Sequence, residues 1–444
     1  MELNDWVLAL NNYLWWPTII FFITIATIIM GALNFIQFRY FLTAWKLLLF
    51  KKPTTTATTA DMTPFQAFLN ALSTSLGNGS LGGMATAIYS GGPGAAFWMF
   101  IYGLLGMAIR YSEVYLSTAF GVQQWNNNVV GGPMVYLSKI PGGTFLPYLY
   151  ALFCLFLAFT SGNAMQANTI RLGCVRIFGV NALVIAFILL VFMLYVMLGG
   201  AKRIIWISDK IVPVKVGVFF LSAIIILCYH YAAIIPALRL IIESALTPAA
   251  ALGGALGYSI QQAFRFGIYR TLNASEAGLG TAAVIFGGSA SKDPVDDGIM
   301  SMLSTFISSN LVCFSIGLML VATQVWNNGQ TSLDLTISAY ETVFGAIGGW
   351  IVTFLSISFG LGVLVSYAYI ARSCWLFLTH GKFITLCNIL FCTATFFGAL
   401  AKVDLVWNMT DLINTVLLTI NMLGIVFLLP VIRRGLKKHE ASQT

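Results

Sequence analysis

The stretch Leu76-Gly77-Asn78-Gly79-Ser80-Leu81-Gly82-Gly83 stands in the middle of an otherwise apolar run over 65–89. A run of that length suits a membrane-crossing helix, which needs about 20 predominantly apolar residues. Four of these eight residues are glycine, and each glycine costs a helix about 1 kcal/mol relative to alanine. The sequence therefore predicts a spanning helix that is broken near its centre. Backbone freed from helical bonds at membrane depth survives only where it lines a cavity or is buried in protein. The plainer alternative is that these glycines only let neighbouring helices pack closely.

Working outward, apolar runs predict eleven spans, at about 17–36, 65–89, 94–119, 147–170, 180–199, 204–229, 249–271, 298–323, 348–371, 383–401 and 406–430. The shorter segment 38–50, with Arg39 and Lys46 among Phe41, Leu42, Trp45 and Leu48, reads as a helix lying on the membrane surface. A second glycine-dense run, Gly253-Gly254-Ala255-Leu256-Gly257, falls in span 249–271. With span 17–36 set aside, the two interrupted spans are the first and sixth of ten, so each opens a five-helix half. Broken helices in corresponding places of two halves point to an inverted-repeat transporter, with its site between them. The expected fold is thus an all-α polytopic membrane protein. Its expected parts are 1–60 (an extra N-terminal span and a surface helix), 61–230 and 231–432 (the two five-helix repeats), and 433–444 (a basic tail).

Composition agrees with this reading. Apolar residues make up 59% and charged residues 9%, against about 45–50% and 25% in soluble domains. The net charge of +8 is spread in short clusters between apolar runs, which argues against a nucleic-acid partner. With the N-terminus outside, nineteen of the 23 Lys and Arg residues fall on one side, and Arg171, Arg176, Arg239 and Lys402 on the other. The positive-inside rule then puts the C-terminus in the cytoplasm. Seven cysteines in apolar runs show no paired metal-type spacing. The acidic start Met1-Glu2-Leu3-Asn4-Asp5 is expected to be mature sequence rather than a signal peptide.

The motifs resemble one family, the alanine or glycine:cation symporters. They are Asn70-Ala71-Leu72-Ser73 with Gly77-Asn78-Gly79-Ser80, Gly91-Gly92-Pro93-Gly94-Ala95, and Gly162-Asn163 with Gln166 and Asn168. Further along come Arg265-Phe266-Gly267 with Arg270, Ser275-Glu276-Ala277-Gly278-Leu279-Gly280-Thr281, and Trp407 with Asp411, Asn414 and Asn421. The resemblance implies a leucine-transporter-type fold with one extra N-terminal helix, importing alanine or glycine with sodium. The expected setting is a bacterial-type cytoplasmic membrane, the protein acting as a monomer without a prosthetic group.

A zwitterion at mid-membrane needs donors for its carboxylate and acceptors for its ammonium, and unwound backbone offers both. Gly77, Asn78 and Gly79, with Gly253, Gly254 and Gly257, are the expected substrate contacts. Gln166, alone in an apolar span, either bonds the substrate or makes an interhelical hydrogen bond. Glu276 is expected just past a span end, as a gate or packing element. Asp411 is a gate candidate or a simple helix-end residue. Glu113, one turn from Arg110, is explained by an intrahelical ion pair.

The chain departs from the family at several positions. The hydroxyl pair that the family carries in the eighth core helix falls on Leu361 and Gly362, and its tryptophan on Ser366, which suggests a roomier or more polar pocket. Ser73, Ser356 and Ser358 remain as candidate ion ligands. Lys215, shortly after Pro213, stands where the family has an apolar residue. A lysine at membrane depth is costly and usually functional. Its ammonium could replace sodium, so that protonation drives the cycle; the alternative is a lysine that snorkels to the interface. A different small zwitterion is the alternative substrate, and other classes weighed are a channel, a sensor and an embedded enzyme. The last has no phosphate loop or catalytic dyad to support it.

Overall fold

Long apolar runs leave a chain in lipid one economical choice, the helix that satisfies its own backbone, and the computed structural model is helical almost throughout. It describes residues 3–50, 61–125, 128–247, 260–289, 293–401 and 403–443. Seven helices among these are long and apolar enough to cross a membrane. They are α1 (Leu3–Ala32), α5 (Ala95–Phe120), α6 (Leu146–Phe178), α8 (Gly200–Tyr229), α12 (Pro294–Ala322), α14 (Ile347–Thr379) and α16 (Val403–Gln443). Two more, α7 (Ala182–Leu198) and α15 (Ile384–Leu400), are apolar but only 17 residues each. They pack against each other at one edge and expose Leu183, Phe187, Ile188, Ile389 and Phe397, as lipid-facing helices do.

The first expected break is present. Helix α3 (Pro64–Ser75) starts with Pro64 in its first turn and a reciprocal cap: Gln66 N donates to Thr63 Oγ1, and Thr63 N to Gln66 Oε1. After an unwound turn and a π-helical stretch over Gly79–Gly83, α4 (Met84–Gly91) continues the span.

The break expected at the second glycine run, with Gly253, Gly254 and Gly257, lies outside the described residues, but an interruption is present further along the same segment. Helix α10 (Ile260–Ser275) unwinds over 276–280 and resumes as α11 (Thr281–Phe286). Glu276, expected beyond a span end, is therefore inside the interruption. The apolar window had ended at 271 because polar side chains thin it out, and the helix runs on past that point.

The expected surface helix is a short turn, Ile36–Arg39, followed by α2 (Phe41–Phe50), which packs on α12 through Phe41 against Phe306. Besides α11, helices α9 (Tyr231–Leu246) and α13 (Ser332–Phe344) have no counterpart in the expected spans. Helix α13 covers the first break and packs along α14. The extra N-terminal helix α1 lies along α16 and α5, while α5 packs on α12 and α10. Among the described residues the sheet structure is one hairpin, Gln123–Trp125 with Asn128–Val130, and an isolated bridge from Met62 to Ser289.

Candidate functional site

Helix α3 ends because Leu76 leaves helical geometry, at φ −111° and ψ 74°. A Cβ at Gly77 would lie 2.7 Å from Val363 Cγ2 and 3.2 Å from Gln166 Oε1, so glycine lets α14 and α6 close on the unwound turn. The amide of Asn78 donates to Gln166 Oε1 at 3.0 Å, and Gln166 Nε2 donates to Ser161 O at 3.0 Å. Gln166 thus makes an interhelical bond that occupies the Asn78 amide. Asn78 Oδ1 accepts from Ser356 Oγ at 2.8 Å, while Asn78 Nδ2 is buried without a hydrogen-bond partner. Such an orphan costs about 1–3 kcal/mol, so an incoming acceptor gains most there. Gly79 faces Asn273 and Ala274 of α10 across the gap.

Lys215 enters the same region from α8 and is fully buried. Its Nζ donates to Leu76 O at 2.9 Å and to Ser73 O and Ser73 Oγ at 3.2 Å each, and lies 5.5 Å from the Phe359 ring centroid. Ser73 O and Leu76 O are carbonyls released at the negative end of α3, where a cation is stabilised. A snorkelling lysine keeps its head in water; this head has none to reach. Opposite it stands Gly362, where a Cβ would come 2.6 Å from Nζ and 2.9 Å from Ser73 Oγ. The lysine head therefore fills the space beside the positions that carry no hydroxyl. Ser358 bonds Leu355 O in its own helix, and Ser366 meets Ser208 and Asn70, away from the unwound turn.

The second break touches the first: Ser75 Oγ donates to Ser275 O at 3.1 Å. Its backbone turns through left-handed values at Glu276 (φ 58°), Gly278 (φ 99°) and Gly280 (φ 80°), which glycine alone adopts at no cost. Glu276 is buried and accepts from Thr281 Oγ1 at 2.8 Å and from the Tyr367 hydroxyl. The Arg110–Glu113 pair is real, with Arg110 Nη1 3.5 Å from Glu113 Oε2, but it does more than link one turn of α5. Glu113 Oε1 accepts from Gly278 N and Gly280 N at 2.9 Å and from Asn421 Nδ2 at 2.8 Å. Arg110 Nη2 donates to Ser275 O at 2.6 Å. Tyr102, Tyr150 and Asn421 donate to the carbonyls of Ala277, Leu279 and Gly278. Sequence reasoning found the ion pair and missed the clamp. The signal was there in an acid one turn from an arginine on an apolar helix, each of which needs more partners than the other can supply.

A cavity of about 320 Å³ lies where α1, α10 and α16 meet, walled by Asn12, Trp15, Arg265, Arg270, Asn408 and Asp411. Arg265 donates to Asn12 Oδ1 at 2.7 Å, with its guanidinium 4.4 Å from the Trp15 ring centroid. Asp411 Oδ1 accepts from Asn273 Nδ2 at 2.6 Å, and Asn414 Nδ2 donates to Asn273 Oδ1 at 2.6 Å. This neighbourhood puts Arg265 and Arg270 on the face where α1 starts. If the remaining sequence-based assignments are kept, the expected charge count becomes seventeen cationic residues against six.

The sequence matches the sodium:alanine symporter family over residues 1–444. An uncharacterized transporter of Haemophilus influenzae is 32% identical over 444 residues, spanning 99% of this chain and 96% of that one. The sodium/alanine symporter AgcS of Methanococcus maripaludis is 32% identical over 441 residues, spanning 97% and 96%. Among solved structures, the manganese transporter of Eremococcus coleocola superposes with a TM-score of 0.51 over 86% of this chain and 80% of that one. At 12% identity that likeness concerns the fold alone. A multi-pass helical bundle with two interrupted helices, matched from end to end, leads to one assignment: the chain is a membrane transporter, not an enzyme, and belongs to the sodium:alanine symporter family.

Proposed function

We propose that this chain imports a small neutral amino acid, alanine or glycine, together with a cation by alternating access, and that the cation is a proton carried on Lys215. The observation that carries the proton is the position of the Lys215 ammonium on Leu76 O and Ser73 O, facing Gly362. A cation held only by neutral groups at a helix end does what a bound sodium would do there, and it can be discharged in place. The substrate lies between the two breaks. Its carboxylate takes the amides of Gly77, Asn78 and Gly79 once Gln166 lets go of Asn78 N, and its ammonium takes freed carbonyls. Glu276 and Asp411 serve as gate or structural residues.

The layout proposed with this mechanism is eleven spans, an extra N-terminal span and two five-helix halves, with the N-terminus outside and the C-terminus cytoplasmic. The seventeen-to-six charge asymmetry and the matching places of the two interrupted helices favour that layout. The protein works as a monomer in a bacterial-type cytoplasmic membrane. Sodium is the second reading, and the family match over the whole chain together with the relative named a sodium/alanine symporter supports it as the coupling ion. Asn78 Oδ1 and Ser356 Oγ, 2.8 Å apart beside the first break, are then candidate oxygen ligands.

The test is uptake of labelled alanine into proteoliposomes, with proton and sodium gradients imposed separately at a clamped membrane potential. Proton-driven accumulation that loses its pH dependence in Lys215→Met supports the first reading. Accumulation driven by sodium alone, unchanged in that variant, sinks it in favour of the second. No alanine or glycine uptake under either gradient removes the proposed substrate class.

A further inference from the structure

The cavity between α1, α10 and α16 is separate from the two breaks, and its chemistry is that of an anion receptor. Two arginines, Arg265 and Arg270, face one carboxylate, Asp411. Arg265 is committed to Asn12 and the Trp15 ring. Arg270 is not. Its guanidinium stacks 4.9 Å from the Trp407 ring centroid, and its Nε and Nη1 are buried without a hydrogen-bond partner. Asp411 does not take them up: its nearer oxygen is 3.9 Å from Arg270 Nη1, while its other oxygen is held by Asn273 at 2.6 Å. Buried N–H groups without a hydrogen-bond partner, here on a partly exposed guanidinium, are costly. A carboxylate would meet them with charge-assisted bonds of about 2.7–2.9 Å. The volume, about 320 Å³, is ample for one small amino acid.

We propose that this cavity is a second, outer binding site for a small carboxylate: a station where the carboxyl group of the amino acid is held by Arg270 before it moves to the broken helices. It rests on the import reading and on the orientation with the N-terminus outside. The extra helix α1 has a defined part in it, since Asn12 and Trp15 hold Arg265 aside and close the wall.

Trp407 reports on Arg270, because a carboxylate that engages the guanidinium alters its stacking. The test titrates acetate, alanine and chloride into the purified full chain at constant ionic strength. The readout is the tryptophan fluorescence that wild type shows and Trp407→Phe lacks. Acetate, which carries the carboxylate and no ammonium, is expected to change that signal saturably, and alanine to compete with it. Arg270→Lys is expected to weaken acetate about tenfold and Arg270→Gln to abolish the response, as loss of a charged hydrogen bond implies. If Arg270→Gln does not fold, Asn12→Asp replaces it; its added carboxylate at the wall should lower acetate affinity.

A response to chloride equal to that for acetate overturns carboxylate recognition, and an acetate response that survives in Arg270→Gln or is unchanged in Asn12→Asp overturns the receptor. Alanine uptake, measured in parallel, separates the two claims. Uptake without any acetate response removes the outer site and leaves transport standing. An acetate response without uptake removes the import reading and leaves a carboxylate site.

Discussion

At the first break, unwinding strands two carbonyls, Ser73 O and Leu76 O, and the group that meets them is the ammonium of Lys215 on α8. At the second it strands two amides, Gly278 N and Gly280 N, and the group that meets them is the carboxylate of Glu113 on α5. Each opened helix is thus neutralised by a neighbour, with opposite sign. The difference lies in what stands behind each charge. Glu113 has Arg110 as a counter-ion, whereas among the described residues no carboxylate pairs with Lys215. A buried charge with a counter-ion is part of the framework. One with neutral partners only can be switched off without abandoning an ion.

The largest effect that would break this contrast is expected from Glu113→Ala. It leaves Arg110, two amides and Asn421 without their acceptor, and removing one partner of a buried pair costs about 3–5 kcal/mol. Thermal unfolding of the purified protein should show it as a large drop in midpoint, with Glu113→Gln recovering part by keeping the acceptor oxygen. A fall no larger than that of a surface substitution would mean the clamp is ornamental.

Lys215→Met should come next, and should differ in kind. Two carbonyls lose a donor, worth about 1–3 kcal/mol, and the folded protein persists while uptake loses its dependence on pH. Gln166→Leu is expected to be milder for stability, about 1–2 kcal/mol for the orphaned Asn78 amide, and visible chiefly as a lowered KM for alanine, since that amide no longer has to be released to meet the carboxylate. The smallest effect sharpens the comparison most. Gly362→Ala puts a methyl against Nζ in wild type and against nothing charged in Lys215→Met. A double-mutant cycle on thermal stability should therefore give a coupling of about 0.5–1 kcal/mol; additive effects would show that Gly362 and Lys215 do not share one space.

The first break could be read from sequence because its glycines interrupt a run that is apolar on both sides. The second could not, although its residues were recognised as a motif. Arg265, Arg270, Asn273 and Glu276 depress hydropathy where α10 continues, so the apolar run ends at 271, short of the interruption at 276–280. The alternation of Gly278 and Gly280 around Leu279, leading into Thr281–Phe286, is the local pattern that marks it. Lys215 stood out as a lysine in an apolar run, but its partners Ser73 and Leu76 are backbone carbonyls, which no residue code announces. The clamp on the second break is hidden for the same reason, because Arg110 and Glu113 act on main-chain groups more than a hundred residues away.

Helix α16 is a single run of 41 residues, about 60 Å at 1.5 Å per residue, against a hydrocarbon core of about 30 Å. It touches Asn273 through Asp411 near its start, the second break through Asn421, and Arg39 through Glu440 at 2.8 Å near its end. Treated as a beam pivoting at Asn421, it has a short arm of about 15 Å and a long arm of about 28 Å. A few degrees of rotation then move the Glu440 end about twice as far as the Asp411 end, with Pro430 as a joint in the longer arm. Movement at the cavity beside Asp411 would reach the far end of α16 enlarged and already aimed at the Arg39 contact.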